Sequence, residues 1–444
     1  MKKNDNLKIL CLMTHGRAGS KLFHSLLDWH PQIMCFPRTL HFNKFWQCVK
    51  NKKDNHAHTV DAFVDMHPRF FNGECWYRIN KFDRADQLGA DKKESFSVNK
   101  RDFRQNALAM LQSETITRAT LFLLLHQAYH VTCGRKLPER ALILYHIHTM
   151  ESEDELSACL SDFSNNVRLL VPIRHPVETM KSSVNIQKMR NTLSCGETFH
   201  HQRQVLLCTS EIMEHYPRLD IKISPLESLN RNHENLMKAF VEWIGIEWHD
   251  ALMVSTMHSK LWWGNSATTF KNGTNPNWKI YNPSGFLEKK DWRIFSALIY
   301  DRMKKIGYLN ETDTKNPLTK TQLLFLLLLP TAAEWKLLKS IFSLNFWLET
   351  IKKIKEEVDD PRFENFDSYA KKELRKDEQT CKGNSNFQTI LIKNRRISKQ
   401  LCRNIRLLNL FNWLYNTAKR IIVYYRFAEK GLKTENVSPL LRVK

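Results

Sequence analysis

The chain has 444 residues, of which 42% are hydrophobic; this is enough apolar material for a large core and excludes a mainly disordered protein. Its 68 Lys and Arg against 46 Asp and Glu give a formal net charge of +22, which points to anionic partners: a phosphorylated nucleotide, an acidic glycan, anionic lipid or nucleic acid. The ten cysteines form no CxxC pair, and the sequence shows no zinc-finger spacing, aromatic-rich RNA motif or repeat, so neither a disulfide framework nor specific nucleic-acid recognition is expected.

Residues 9–13 (ILCLM) are a short apolar run of buried-strand type, and the character then changes at once. Thr14, His15, Gly16, Arg17, Ala18, Gly19, Ser20 and Lys21 are small, hydroxylated or cationic, and Leu22, Phe23, Leu26 and Leu27 follow at helical spacing. The pattern is strand, phosphate-loop, helix. Gly16 and Gly19 let the backbone approach an anion, the helix start offers N–H groups and a positive dipole end, and Arg17 and Lys21 add charge. An ordinary tight turn with two surface cations has the same local pattern. The Walker form is not met, since no Gly precedes Lys21 and no Ser or Thr follows it.

Residues 51–137 read as a mostly helical insertion that caps a cleft, with Val60, Phe63 and Val64 opening one periodic stretch and residues 116–131 (ITRATLFLLLHQAYHV) forming a stronger one. Residues 92–103 (KKESFSVNKRDF) are polar and charged, and are expected to be a surface connection. A second apolar strand, residues 141–150 (ALILYHIHTM), ends in His146 and His148, which strand alternation puts on one face. They read as edge-strand histidines, as a general base with its neighbour, or as two metal ligands; no further ligand at recognisable spacing follows, so no metal is assigned. His41, alone in residues 35–46 (CFPRTLHFNKFW), reads as structural.

An acidic amphipathic helix at 151–160 precedes a third buried strand, 167–172 (VRLLVP), which leads into IRHPVETMKSSVN. Arg174 follows the strand directly and Ser182 lies on the next helix, so the two converge on one place. A guanidinium clamp beside a directed hydroxyl donor suits a phosphate. A strand and turn (221–228), an amphipathic helix (232–246) closing at Gly245, and a Gly-, Asn- and Thr-rich loop (261–276) come next. In that loop Trp262 and Trp263 either stack on a base or sugar or pack in a core.

From residue 314 the character differs. The run 323–329 (LLFLLLL), closed by Pro330, is too short for a span of about 20 residues. Residues 335–355 and 401–427 carry apolar positions at helical spacing among Lys and Arg, a polar stretch at 359–386 reads as a linker, and after Cys381 fourteen Lys and Arg face two acidic residues. Basic helices of this kind suit an anionic membrane surface, a partner or dimer surface, or packing on the rest of the chain.

The string GRAGSKLFHSLLDWHPQI resembles the 5′-phosphosulfate loop of sulfotransferases that use 3′-phosphoadenosine 5′-phosphosulfate (PAPS), commonly GRSGSTLL followed by His-Pro in carbohydrate and bacterial members. Lys21 stands where Ser or Thr is usual. IRHPVETMKSSVN resembles the 3′-phosphate motif of the same family, and the resemblance covers residues 1–313, about two thirds of the chain. It implies an α/β fold with a three-layer parallel sheet and a P-loop-like nucleotide site, the sulfotransferase fold, with residues 51–137 as a helical cap and 314–444 as a basic helical C-terminal extension.

The resemblance further implies PAPS as sulfonate donor and no metal. Gly16, Arg17, Ala18, Gly19, Ser20 and Lys21 would hold the 5′ end, and Arg174 and Ser182 the 3′-phosphate. Arg17 takes the place of the family's loop Lys, His148 falls on its catalytic His and His146 on the Lys two residues before it; His41 or a Glu compete for the role of base. Glu227 and Trp248 match an acidic turn residue and a later Trp, and Gly264, Lys271 and Gly273 a loop folded over the nucleotide. The acceptor hydroxyl or amine would belong to a saccharide or glycolipid. Because the first strand begins close to the N-terminus, a cytoplasmic enzyme is expected, attached peripherally to the inner face of a membrane by its tail. Two other classes fit the residues: a kinase with a degenerate loop, and a non-catalytic basic adaptor for membrane or nucleic acid.

Overall fold

The computed structural model describes residues 7–14, 17–52, 55–74, 83–112, 114–149, 153–175, 178–179, 182, 216, 218–264, 272–276, 300, 319 and 321–322; at positions 148, 149, 153 and 165 it describes the backbone alone. In chain order the elements are β1 (Lys8–Thr14), α1 (Ser20–Leu27), β2 (Ile33–Cys35), α2 (Phe42–Val49), α3 (His56–Met66), α4 (Lys100–Leu111) and α5 (Arg118–Thr132). There follow β3 (Leu142–Thr149), α6 (Glu153–Phe163), β4 (Val167–Ile173), β5 (Asp220–Pro225), α7 (Leu226–Arg231) and α8 (His233–Ile244). A short antiparallel pair, β6 (Thr256–Met257) and β7 (Lys260–Leu261), comes after them.

The first five strands form one parallel sheet in the order β2-β3-β1-β4-β5. Alternation along β1 sends Ile9, Cys11 and Met13 to one face and Leu10 and Leu12 to the other. The first face packs with Ile143, Tyr145, Val167, Leu169 and Val171 against the aromatic side chains of α2, α3, α4 and α5 and against Leu156 of α6. The second packs with Leu142, Leu144 and Leu170 against Phe23, Leu26 and Leu27 of α1 and Leu236, Phe240 and Ile244 of α8. Both faces are dry, which is why β1, β3 and β4 read as unbroken apolar runs. The fold is α/β in three layers.

Two expectations change here. β3 lies between β2 and β1, so His146 and His148 are not on an edge strand. The polar stretch 92–103 is a connection only as far as Asn99, whose side chain accepts from Arg101 N at 2.9 Å and Asp102 N at 3.4 Å and starts α4; Phe103 is fully buried. Charged residues conceal this helix because Phe103, Ala107 and Leu111 alone bury a narrow stripe of it. Helices α3, α4 and α5 of the expected insertion share one apolar cluster with the sheet. The expected helices at 335–355 and 401–427 lie outside the described residues, as does the rest of 314–444 apart from 319, 321 and 322. No helix among the described residues is long and apolar enough to cross a membrane.

Candidate functional site

The chain leaves β1 toward β2 and β3 on one side of the sheet and returns to β4 on the other. The strand order thus reverses between β1 and β4, and in α/β sheets ligands bind outside the carboxyl ends of the strands at such a switch point. Thr14 Oγ1 donates to Pro172 O at 2.6 Å and ties the two strand ends together. The candidate loop and Arg174 therefore leave neighbouring strands at the same end of the sheet.

Arg17 has a φ of 73° and Gly19 a φ of 94°, so the loop turns through two left-handed positions. A Cβ on Gly19 would lie 2.7 Å from Leu226 Cδ1, which adds a steric demand to the conformational one. Gly19 O accepts from Leu22 N at 3.0 Å and from Phe23 N at 3.1 Å, starting α1. The first turn carries neither a side-chain cap nor an acidic residue, so the positive end of α1 is not offset within the helix. Ala18 and Ser20 are buried beneath this turn.

The two sequence motifs meet. Arg17 Nε donates to Ser182 Oγ at 2.9 Å. Arg174 is mostly buried, with Nη2 3.4 Å from Glu178 Oε2 on the following turn. Glu227 Oε1 accepts from His175 N at 2.7 Å, so this residue anchors the segment that carries Arg174 from the first turn of α7. Burial, reinforced by the Arg174 charge, pulls His175 down to about 4, and its imidazole is neutral at neutral pH.

Lys21 makes a separate contact, with the insertion. Its ammonium pairs with Asp83 in the insertion; burial lowers its pKa and the Asp83 charge opposes that shift. Asp83 O accepts from Trp262 Nε1 at 2.7 Å, and Arg38 lies over the Trp262 ring at 4.3 Å. Trp262 is 1% exposed, so it is core and not a platform for a base or sugar. Trp263 Nε1 donates to Gly89 O at 2.7 Å, while Arg84 Nη1 donates to Trp263 O at 3.0 Å and Gly264 O at 3.3 Å. Gly273 has a φ of 68°, and Lys271 lies outside the described residues, as does Gly16.

Among the candidate bases, His146 is 1% exposed and its Nδ1 is 3.2 Å from His24 Nδ1, so one ring donates and the other accepts. Pairing between β1 and β3 skips Ile147: Leu12 stands opposite His146 and Met13 opposite His148, which interrupts strict alternation between the two histidines. The His148 side chain is outside the described residues. His41 precedes α2 with a buried Nδ1 that has no hydrogen-bond partner, and burial lowers its pKa to about 4.

Sequence reasoning missed Asp83 and Glu178 and read Glu227 as a turn residue. Glu178 was legible as the i+4 neighbour of Arg174. Asp83 carries no local signal, since it meets Lys21 across a separation of 62 positions.

No family model matches the chain, and no curated protein matches it. Among solved structures it is similar to the sulfotransferase domain from the Synechococcus PCC 7002 olefin synthase, at 14% identity and a TM-score of 0.35, over 56% of this chain and 77% of that one. It is also similar to the sulfotransferase domain from the curacin biosynthetic pathway, at 14% identity and TM-score 0.33, over 66% and 97% of the two chains. A sulfotransferase from Mycobacterium avium matches at 15% identity and TM-score 0.28, over 56% and 66%.

Proposed function

We propose that this chain transfers a sulfonate group from PAPS to an acceptor hydroxyl or amine, leaving adenosine 3′,5′-bisphosphate. The observation that carries the reading is the contact of Arg17 with Ser182, which joins the loop after β1 to the segment after β4 in one cationic, hydroxyl-bearing crevice. A nucleotide with phosphates on both the 5′ and 3′ positions has the anionic groups to engage both halves.

In this scheme the main-chain N–H groups at the start of α1 and the Ser20 hydroxyl hold the 5′-phosphate, with Gly16, Ala18, Gly19 and Lys21 completing the loop. Arg174 and Ser182 hold the 3′-phosphate. The acceptor oxygen attacks sulfur in line as the bond from sulfur to the 5′-phosphate oxygen breaks. Arg17 stabilises the charge gathering on that departing oxygen, and His148, or His41 in its place, takes the acceptor proton. The chemistry requires no metal. The acceptor is a saccharide or a lipid-linked saccharide, brought to the enzyme at an anionic membrane surface on the cytoplasmic side by the basic tail.

Thermal unfolding with adenosine 3′,5′-bisphosphate and with ADP tests the reading, since ADP has two phosphates but none on the 3′ position. The 3′,5′-bisphosphate raises the midpoint and ADP raises it much less. Equal shifts contradict the assignment of Arg174, and a magnesium-dependent shift with ATP alone replaces it with a kinase.

A further inference from the structure

Beyond the start of α1, its later residues hold a different chemistry, with His24 Nδ1 3.2 Å from His146 Nδ1. His24 and Asp28 are four positions apart, so they lie on one face of α1 and its C-cap, and Cys35 ends the neighbouring strand β2. One ligand atom from each of the three lies within 4.8 Å of the others. His24 and Asp28 are 1% and 5% exposed. The geometry points to a structural binding site for a zinc-type divalent cation formed by His24, Asp28 and Cys35, which bolts the end of α1 to β2.

Three further observations support the assignment. His24 Nε2 is buried without a hydrogen bond of good geometry, although the Phe36 main chain interacts with the imidazole and a buried ring nitrogen normally has a partner. The Asp28 carboxylate is already oriented: Oδ2 accepts from Thr256 Oγ1 at 3.2 Å and from Ser259 N at 3.3 Å, the kind of support that outer partners give a metal-bound carboxylate. A cavity of about 10 Å³, about the least that holds one water, adjoins Asp28 and Cys35 and is lined also by Cys133, His258 and Arg135.

Thiolate, imidazole and carboxylate are a donor set for zinc rather than for magnesium or calcium, which take oxygen. Distances of about 2.0–2.1 Å to nitrogen and about 2.3 Å to sulfur put tetrahedral ligands roughly 3.3–3.6 Å apart, so the group closes by about 1 Å when it binds. Binding replaces the Cys35 thiol proton, which leaves to solvent as the sulfur–metal bond forms. The loaded group is neutral, two positive charges against a thiolate and a carboxylate. Arg135 donates to the main-chain O of Asp28 and of His30, and the charges of Arg38 and Arg135 both act on Asp28 and Cys35, so these guanidiniums face a loaded group with no net charge rather than a bare dication.

The test uses the full chain, freed of metal and titrated with Co(II) and with Zn(II). A thiolate-to-cobalt charge-transfer band should grow to one equivalent and vanish on adding zinc, and zinc should raise the thermal midpoint. Cys35→Ser should remove the band and weaken zinc retention by at least about tenfold, whereas Cys48→Ser, at an exposed cysteine, should keep both. Asp28→Asn is the second variant if Cys35→Ser does not fold. A folded wild-type chain that gives no band, or a band and zinc content unchanged in both ligand variants, overturns the site.

Discussion

Arg17 Nε lies 2.9 Å from Ser182 Oγ across 165 positions of sequence, and Arg17 reaches it from a left-handed backbone, φ 73°. A non-glycine residue in that region costs on the order of 1–3 kcal/mol and persists where its surroundings impose it. Here the surroundings are the end of β1, the start of α1 and the segment that follows Arg174. The contact joins the loop after β1 to the segment after β4.

The two residues should therefore act as a unit toward the nucleotide. Arg17→Ala and Ser182→Ala should each weaken adenosine 3′,5′-bisphosphate binding, Arg17 by about tenfold or more, since hydrogen bonds to charged groups contribute roughly 1.5–3 kcal/mol. The double variant should lose less than the product of the two single losses, because removing either residue already breaks their contact. Strictly multiplicative losses would mean that the side chains act on separate places.

The ion pair of Lys21 with Asp83 ties the loop to the insertion. Asp83→Asn leaves a mostly buried ammonium without its counter-charge and should cost up to about 3–5 kcal/mol, less the screening of a Lys21 side chain still 19% exposed. Adding Lys21→Met should recover much of that loss. Urea unfolding of the three variants measures it, and an Asp83→Asn chain as stable as the wild type would show that the pair does not hold the insertion in place.

How much of this was legible depended on the separation of the parts. Strands β1, β3 and β4 announce themselves because both faces of a parallel sheet are buried, and α8 because its apolar stripe is closed by Gly245 with φ 70°. Ile33–Cys35 did not, being three residues long beside a Pro-rich turn. A strand, a proline and a helix are the sequence ground for expecting Arg174 and Ser182 to converge, whereas the observed reach of Arg17 to Ser182 needed the order of β1 and β4 in the sheet. The seam along α1 from Lys21 through His24 to Asp28 was invisible, because each partner, Asp83, His146, Thr256, comes from a different element.

Stability should fall on the acid side of neutrality. His67 and His126 are buried, their Nδ1–H groups donate to Phe63 O at 2.9 Å and Phe122 O at 2.7 Å, and burial lowers them to about 3 and about 4. Their folded values lie below the unfolded value of about 6.5, so the stability they contribute is complete above that pH and is lost as pH falls toward the folded values. At pH 5 the loss is roughly 2 kcal/mol for each. Thermal unfolding between pH 8 and 5 should show the decline, with a shallower slope in His126→Gln; an unchanged midpoint across that range contradicts it.

The basic tail should bind anionic liposomes and release them as salt rises, since the attraction is Coulombic and screened. Removing the residues after Lys320 should leave a folded chain that still binds nucleotide but no longer sediments with vesicles. An aggregated truncation would mean that the tail is part of the core.

The base has its own test. His148→Ala should lower kcat by roughly 10²–10⁴-fold with little change in nucleotide affinity, and His146→Ala and His41→Ala should be milder. A His148→Ala enzyme within a few-fold of wild type moves the role to His41 or to a carboxylate.

The most direct measurement is calorimetric titration of the wild type and of Arg174→Ala with adenosine 3′,5′-bisphosphate and with AMP, which differ by the 3′-phosphate alone. A crevice that grips both phosphates gives the wild type a clear preference for the bisphosphate, and Arg174→Ala abolishes that preference by weakening the bisphosphate about tenfold or more while AMP binding stays nearly constant. Equal affinities for the two ligands in the wild type, or equal losses for both in Arg174→Ala, contradict the account.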